Sequence, residues 1–372
     1  MGRTRIDALL VVAVVAIVAC SSLPAQPNTS APTGDSVADF VARTLPKGSG
    51  GTVIAARGDQ ILHCEGFGMA DREARIAATC DTAYDVMSIT KQFTAAAIVK
   101  LEAMGKLRVT DTIGAHLGPV PTDKQGITLH HLLTHTAGLV EALGDDHDVL
   151  SRDAMLSRAM TSQLISAPGV QFHYSNLGYS VLAAIIEKVA GVGYEQFLAA
   201  YLFLPAGMTH TGYLLPQWDR NQTAVEYDAD GRSQGRPYEH PWAADGPYWN
   251  LRGNGGILST ARDMFRWSRA LSGDAILPPS ARSKLFAPHA RQPDSNEFYG
   301  YGWDLIDDEH GRIAWHDGGN MWSLAIYAKS LSDDTTVFWV SNHAYQRDEW
   351  NFEELEPELT LGLLTRARTQ PS

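Results

Sequence analysis

Apolar residues along this chain recur in two periods. Gly51-Thr-Val-Ile-Ala-Ala and Gln60-Ile-Leu-His-Cys-Glu-Gly are short apolar runs on either side of Arg57-Gly-Asp, a pattern that predicts a β-hairpin. From Ser88 to Leu107 the period lengthens: Phe93, Ala97, Ile98, Leu101 and Met104 share a helical face, and Gly105 stands where a helix would stop. Helical spacing then dominates, predicting helices over Thr128–Thr136, Arg152–Ser166, Leu177–Val189 and Tyr194–Leu204. Pro216–Asn254 has no clear period and is rich in Gly, Pro, Tyr and Trp, so long loops are expected there. Its aromatic residues Tyr227, Tyr238, Trp242, Tyr248 and Trp249 either wall a cleft or pack beneath those loops. A helix follows at Thr260–Leu271, then strand-like runs at Tyr301–Ile306, Ile313–Trp315, Leu324–Ala328 and Thr335–Ser341, and a closing helix at Asn351–Arg366. Strands at both ends around a helical middle imply one sheet built from both ends of the chain. The expected fold class is therefore α/β (α+β), with residues 37–110 and 250–372 in an α/β domain and 111–249 an inserted helical domain with long loops.

At 372 residues and 44% hydrophobic, the chain is large enough for two such units. Its formal charge of -12 and lack of any lysine/arginine block argue against nucleic acid as a partner. The N-terminus reads as a targeting segment: Arg3 and Arg5 precede an apolar run, Ala8 to Ala19, too short to span a bilayer comfortably. Ile17-Val18-Ala19-Cys20 resembles the bacterial lipobox. Residues 1–19 are expected to be a signal peptide, Cys20 to carry a lipid that holds the protein to a membrane, and residues 20–36 to be a flexible tether rich in Ser, Pro, Thr and Ala. An ordinary signal peptide or an uncleaved anchor are the alternatives, and each places the protein outside the cytoplasm, in the periplasm or cell envelope. In an oxidising compartment Cys64 and Cys80 either pair or remain buried thiols.

Three motifs carry candidate chemistry. Ser88-Ile-Thr-Lys91 opens the long helix, and residues three apart share a helical face, so a hydroxyl and an amine can meet there. A desolvated lysine can lose its proton near neutral pH and activate a serine. Tyr174-Ser175-Asn176 precedes a helix; a phenol between cations can exchange protons, and an asparagine amide can bond a substrate carbonyl. The plainer reading is a core tyrosine beside a helix cap. His316-Asp317-Gly318-Gly319 ends an apolar run, where glycines let a backbone edge approach an acyl group and donate an N–H to an oxyanion; alone, it reads equally as a turn. His131 and His135 stand at the i, i+4 spacing of zinc ligands, but no glutamate follows in the H-E-x-x-H order, and no C-x-x-C occurs. No metal or cofactor is expected.

The ordered set of three resembles the signature S-x-x-K, S-D-N, K-T-G of β-lactamases and penicillin-binding proteins, in the variant with Tyr-x-Asn second and His-x-Gly third. That variant is similar to class C β-lactamases, D-alanyl-D-alanine carboxypeptidases, D-aminopeptidases and related esterases. Leu129-His-His-Leu-Leu-Thr-His-Thr-Ala-Gly-Leu139, Gly255-Gly-Ile-Leu-Ser-Thr-Ala-Arg-Asp263 and Tyr299-Gly-Tyr-Gly-Trp303 fit the same resemblance, which spans about Val37 to Ala344. It implies an antiparallel sheet flanked by helices, a helical domain beside it, and a site in the cleft between. By position it implies Ser88 as nucleophile of an acyl-enzyme, with Lys91 and Tyr174 as its catalytic partners. Asn176, His316, Gly318 and Gly319 would then bind substrate, the N–H groups of Ser88 and Gly319 serving as oxyanion donors.

Two positions depart from the class C pattern. Lysine normally stands where His316 is, and threonine where Asp317 is, and both help hold a substrate carboxylate. An imidazole holds that carboxylate less firmly, and an aspartate repels it. The expected substrate is thus a small molecule or peptide: an ester, an amide or a D-amino-acid peptide without a free carboxylate at that end. The alternatives are a true β-lactamase or D-alanyl-D-alanine carboxypeptidase, and a lipoprotein that binds cell-wall peptide without cleaving it.

Overall fold

The computed structural model describes residues 35–293 and 295–370. The expected leader, Cys20 and most of the tether lie outside them. In chain order the helices are α1 (Val37–Thr44), α2 (Thr90–Ala103), α3 (Ile113–Leu117), α4 (Leu129–Leu133), α5 (Arg152–Thr161), α6 (Asn176–Ala190), α7 (Tyr194–Leu198), α8 (Ala261–Ser272), α9 (Pro279–Leu285) and α10 (Phe352–Thr369).

Eight antiparallel strands form the main sheet, in the order Ala290–Arg291, Phe298–Tyr299, Asp304–Asp308, Gly311–Gly319, Leu324–Ser330, Thr335–Ser341, Gly51–Arg57, Gln60–Phe67. The N-terminal hairpin turns at Gly58, φ +55°, and docks on the last long strand with Gly51 opposite Ser341 and Arg57 opposite Thr335. Both chain ends thus build one sheet, as the apolar runs predicted.

Side chains alternate across that sheet with period two. Val53, Ala55, Trp315, Ile326, Val337 and Trp339 bury one face under α1 and α10. Ile54, Ala314, Ala325, Tyr327, Phe338 and Val340 join the larger core on the other. Its axis is α2, whose residues Thr90 to Val99 and Leu101 are all buried; a helix enclosed on every side needs no polar face. Leu129 of α4, Leu182 of α6 and Phe197 of α7 belong to that same core, so the helical middle packs on the sheet half without a core of its own.

Several boundaries differ from the periodic expectation. The helix expected from Ser88 starts at Thr90, after a 3₁₀ turn at Met87–Ile89. The helix expected over Tyr194–Leu204 passes from α7 into a π-helical turn at Ala199–Phe203. The strand expected from Tyr301 starts at Asp304: Gly302 has φ +77°, and a Cβ there would sit 2.7 Å from the Lys91 carbonyl oxygen. The short run Ile313–Trp315 is the middle of the longer strand Gly311–Gly319, which places the His316 motif on a strand rather than in a turn. Pro216–Asn254 is mostly loop, with two short strand pairs. Tyr227 and Trp249 within it are buried, and an ion pair between Arg236 and Asp71 (2.7 Å) ties this stretch to the N-terminal part of the chain. Cys64 and Cys80 are joined by a disulfide, their Cα atoms 5.9 Å apart.

Candidate active site

Ser88 is carried by a tight turn between a strand and a helix. The strand Ala83–Asp85 pairs with Leu258–Thr260, and the Val86 N–H donates to the Ile257 carbonyl at 2.9 Å. Met87 then takes φ +45°, a left-handed conformation that costs a side-chain-bearing residue energy. The carboxylate of Asp85 accepts the Met87 N–H at 2.6 Å and holds the turn. Ser88 is partly exposed while Met87 and Ile89 on either side are buried. Against this turn lies the strand Gly311–Gly319: a Cβ on Gly318 would come 2.9 Å from the Ser88 nitrogen and 2.6 Å from the Val86 oxygen. Only glycine permits that approach. Gly319 follows, paired with Leu324 at the strand end.

Lys91, one turn along, is wholly buried. Its Nζ donates to Ser88 Oγ at 3.0 Å and to the Asn254 carbonyl at 2.9 Å, and lies 4.8 Å from the centre of the Tyr174 ring. The side chain of Asn254 is itself anchored, donating to Ser180 Oγ at 2.8 Å and to the Asn250 carbonyl at 2.7 Å. Sequence reasoning missed Asn254, because a backbone acceptor has no residue-type signature. The only signal there was the glycine-rich stretch after it.

Ser175 caps α6, accepting the Gly178 N–H at 3.0 Å and donating to the Val140 carbonyl at 2.7 Å. Asn176 is the first residue of α6, and its Oδ1 is buried with no hydrogen-bond partner. Tyr174 lies between two imidazoles, its ring centre 4.4 Å from that of His135 and 6.4 Å from that of His316.

His316 is fully buried. Its Nδ1 stands 2.5 Å from the Asp317 carbonyl, which can only accept, so Nδ1 carries the proton; Nε2 then accepts from the Tyr299 hydroxyl at 2.9 Å. Burial, with the nearby Lys91 charge, pushes its pKa down to about 3, so the ring is neutral. Asp317 is buried too, its carboxylate 3.5 Å from His316 Nδ1, and burial pushes its pKa up to about 6. Among the described residues Asp304, His316 and Asp317 bring one ligand atom each within 4.8 Å of one another. A metal there would have to break one of the two bonds that His316 makes. His131 and His135 turn to different neighbours: His131 Nδ1 accepts from Thr128 N–H and His135 Nδ1 from Ser175 N–H.

The fold therefore gathers Ser88, Lys91, Tyr174, His316 and Gly318 from three distant stretches of chain, with Asn176 beside Tyr174. A buried amine touching a partly exposed hydroxyl, beside a phenol and a glycine edge, has the parts for attack on a carbonyl.

A family model described as Beta-lactamase matches residues 39–355. The chain is 31% identical over 307 residues to a penicillin-binding protein of Bacillus subtilis (strain 168), covering 78% of this chain and 68% of that protein. A penicillin binding protein from Bacillus halodurans superposes with a TM-score of 0.73 at 25% identity, covering 87% of this chain and 99% of that one. The octameric penicillin-binding protein homologue from Pyrococcus abyssi shares the fold, with a TM-score of 0.75 at 24% identity over 89% of this chain and 77% of that one.

Proposed function

The chain belongs to the Beta-lactamase family, and from that premise we propose that it is a serine hydrolase working through an acyl-enzyme on Ser88. The observation that carries this reading is the contact of Lys91 with Ser88: a wholly buried amine, 3.0 Å from a partly exposed hydroxyl. Burial disfavours the ammonium form. Once neutral, Lys91 takes the proton from Ser88 Oγ, directly or through the phenol of Tyr174, as the oxygen attacks the substrate carbonyl. The backbone N–H groups of Ser88 and Gly319 take up the oxyanion charge. Collapse expels the leaving group, which leaves with the proton, and water then hydrolyses the acyl-serine by the same route. The open acceptor of Asn176, buried without a partner, suits a substrate N–H.

The substrate in this reading is an ester, an amide or a D-amino-acid peptide with no carboxylate at the His316 end. Support comes from the neutral ring of His316, whose two nitrogens are already engaged, and from the buried acid beside it. The names of the relatives favour a second reading, in which a penicillin acylates Ser88. A third, in which the cleft only binds cell-wall peptide, requires an unreactive Ser88. We further propose export and a lipid on Cys20.

Intact mass of the protein after exposure to a fluorophosphonate, benzylpenicillin and p-nitrophenyl acetate in parallel separates these readings. Adducts or turnover that vanish in Ser88→Ala establish the nucleophile. Reaction with the ester and not the penicillin supports the carboxylate-free substrate. A stable penicillin adduct supports the second reading, and a folded protein inert to all three overturns the hydrolase.

A further inference from the structure

His135 lies where the motifs of the site meet. It is 1% exposed, and its ring is enclosed by those of Tyr174 (4.4 Å between centres), Tyr299 (4.6 Å), Tyr179 (5.1 Å) and Phe172 (5.7 Å). Tyr299 is the residue whose hydroxyl holds His316. His135 also grips the segment that bears Tyr174 by two polar contacts: Nδ1 accepts the Ser175 N–H at 3.0 Å, and its own carbonyl accepts the His173 N–H at 2.7 Å. Those two amides flank Tyr174 on both sides.

From this arrangement we infer that His135 is a positioning residue for Tyr174, the ring serving as a shelf for the phenol and Nδ1 as the acceptor that fixes the backbone beside it. The backbone supports this. His135 has φ +57°, a left-handed conformation that His, Asn and Asp tolerate better than other side-chain-bearing residues and that costs energy unless the surroundings enforce it. The end of α4 turns there, and the turn aims the imidazole at the site. Burial above all, with Lys91 nearby, holds the imidazole well below its usual pKa, so it stays neutral and keeps the lone pair that Ser175 needs. With Nδ1 accepting, the proton is on Nε2, which is buried without a hydrogen-bond partner. A histidine needed only as filler would be cheaper as a phenylalanine, since the orphaned Nε2–H and the left-handed turn both cost stability.

The inference rests on the reading of Tyr174 as a catalytic partner of Ser88, and two variants test it. His135→Phe keeps a ring of similar shape and removes the acceptor; His135→Asn removes the ring, keeps an acceptor near Nδ1 and tolerates the left-handed turn. In His135→Phe the maximal rate of fluorophosphonate reaction at Ser88, per folded molecule, is expected to fall on the order of a hundredfold. The half-saturating concentration should change less than roughly threefold. His135→Asn is expected to recover at least roughly tenfold of that loss.

Hydrogen exchange at the Ser175 amide gives a readout that needs no activity: protected in the wild type and in His135→Asn, unprotected in His135→Phe. A wild-type rate in folded His135→Phe would overturn the inference, as would equal losses in both variants that track only lost folding. A freely exchanging Ser175 amide in the wild type would do the same. A protected amide in a wild type inert to fluorophosphonate would overturn the hydrolase reading instead, and with it the catalytic role of Tyr174, leaving His135 as a structural anchor alone.

Discussion

At the scale of single residues, the site is set by what burial does to ionisable groups. Lys91, His316 and Asp317 are all withdrawn from water, and burial biases His316 and Asp317 toward their neutral forms. For Asp317 this sets a pH dependence. With a pKa of about 6, it is mostly ionised at pH 7 and repels an anionic ligand; below pH 6 it is neutral and the repulsion fades. Acylation by benzylpenicillin is therefore expected to rise as pH falls from 7 to 5.5. In Asp317→Thr the rate at pH 7 should rise by at least roughly tenfold, since an anion a few Å away in a poorly screened site is worth more than 1 kcal/mol. Stopped-flow acylation rates across that range check both. An unchanged rate in the mutant would show that the carboxylate end of the ligand does not pass near Asp317.

At the scale of elements, the sharp feature is the turn from the strand Ala83–Asp85 into α2. Helical periodicity cannot reveal it, because Ile89 continues the apolar spacing of Phe93 and Ala97 although Met87 is left-handed. The Asp85 carboxylate closes this turn on the Met87 N–H. Asp85→Ala leaves that buried amide without an acceptor, at a cost of about 1–3 kcal/mol. Displacing Ser88 relative to Lys91 is expected to slow fluorophosphonate labelling by roughly tenfold or more beyond the loss of folded protein. Labelling rates normalised to the folded fraction, measured by circular dichroism, would detect it. The strand Gly311–Gly319 teaches a complementary lesson: its second half reads as a turn because it is polar and glycine-rich, yet it pairs through Gly319. The composition that obscures the strand is what lets it lie against Ser88.

For the whole molecule, the sheet joins both chain ends while the helical middle shares its core, so local stability and site geometry are linked. The Cys64–Cys80 disulfide spans a sequence separation of 16 and leashes the segment leading to Ser88 to the strand Gln60–Phe67. Replacing both cysteines by serine is expected to cost about 2–4 kcal/mol, read as a lower urea midpoint, with Ser88 labelling of the folded protein retained. Acid should also destabilise the fold. His130 and His343 are pushed down to about 4 and His316 to about 3, chiefly by burial. Folded, they stay neutral between pH 6.5 and 4, while the unfolded chain binds a proton at each. Stability contributed by their neutral burial is thus lost as pH falls through that window. Asp317 and Asp146, raised by burial, act the other way, their contribution lost as pH rises through about 6; Asp85, Asp304 and Glu195, also raised, share their sign. Since His63, His131, His135, His147 and His289 are lowered by burial as well, eight lowered histidines stand against five raised carboxyls, and the urea midpoint is expected to drop between pH 7 and 5. A midpoint that held or rose would mean the carboxyls dominate.

By itself the sequence determined the element types, the union of both chain ends in one sheet, and the candidates Ser88, Lys91, Tyr174, Asn176, His316, Gly318 and Gly319, because periodicity and short motifs are local properties of the chain. It could not determine that Cys64 and Cys80 pair, that Asn254 offers its carbonyl to Lys91, that Tyr299 occupies His316, or that His135 underlies Tyr174. Each of those is a contact that depends on the tertiary fold, made through a thiol pair, a backbone oxygen, a hydroxyl or a ring face whose residue type alone names no partner. Only the folding of the chain brought each pair within reach, inside the sheet half for the disulfide, Asn254 with Lys91 and Tyr299 with His316, and inside the helical middle for His135 with Tyr174; by expelling water it also pushed the pKa of His316 down and that of Asp317 up.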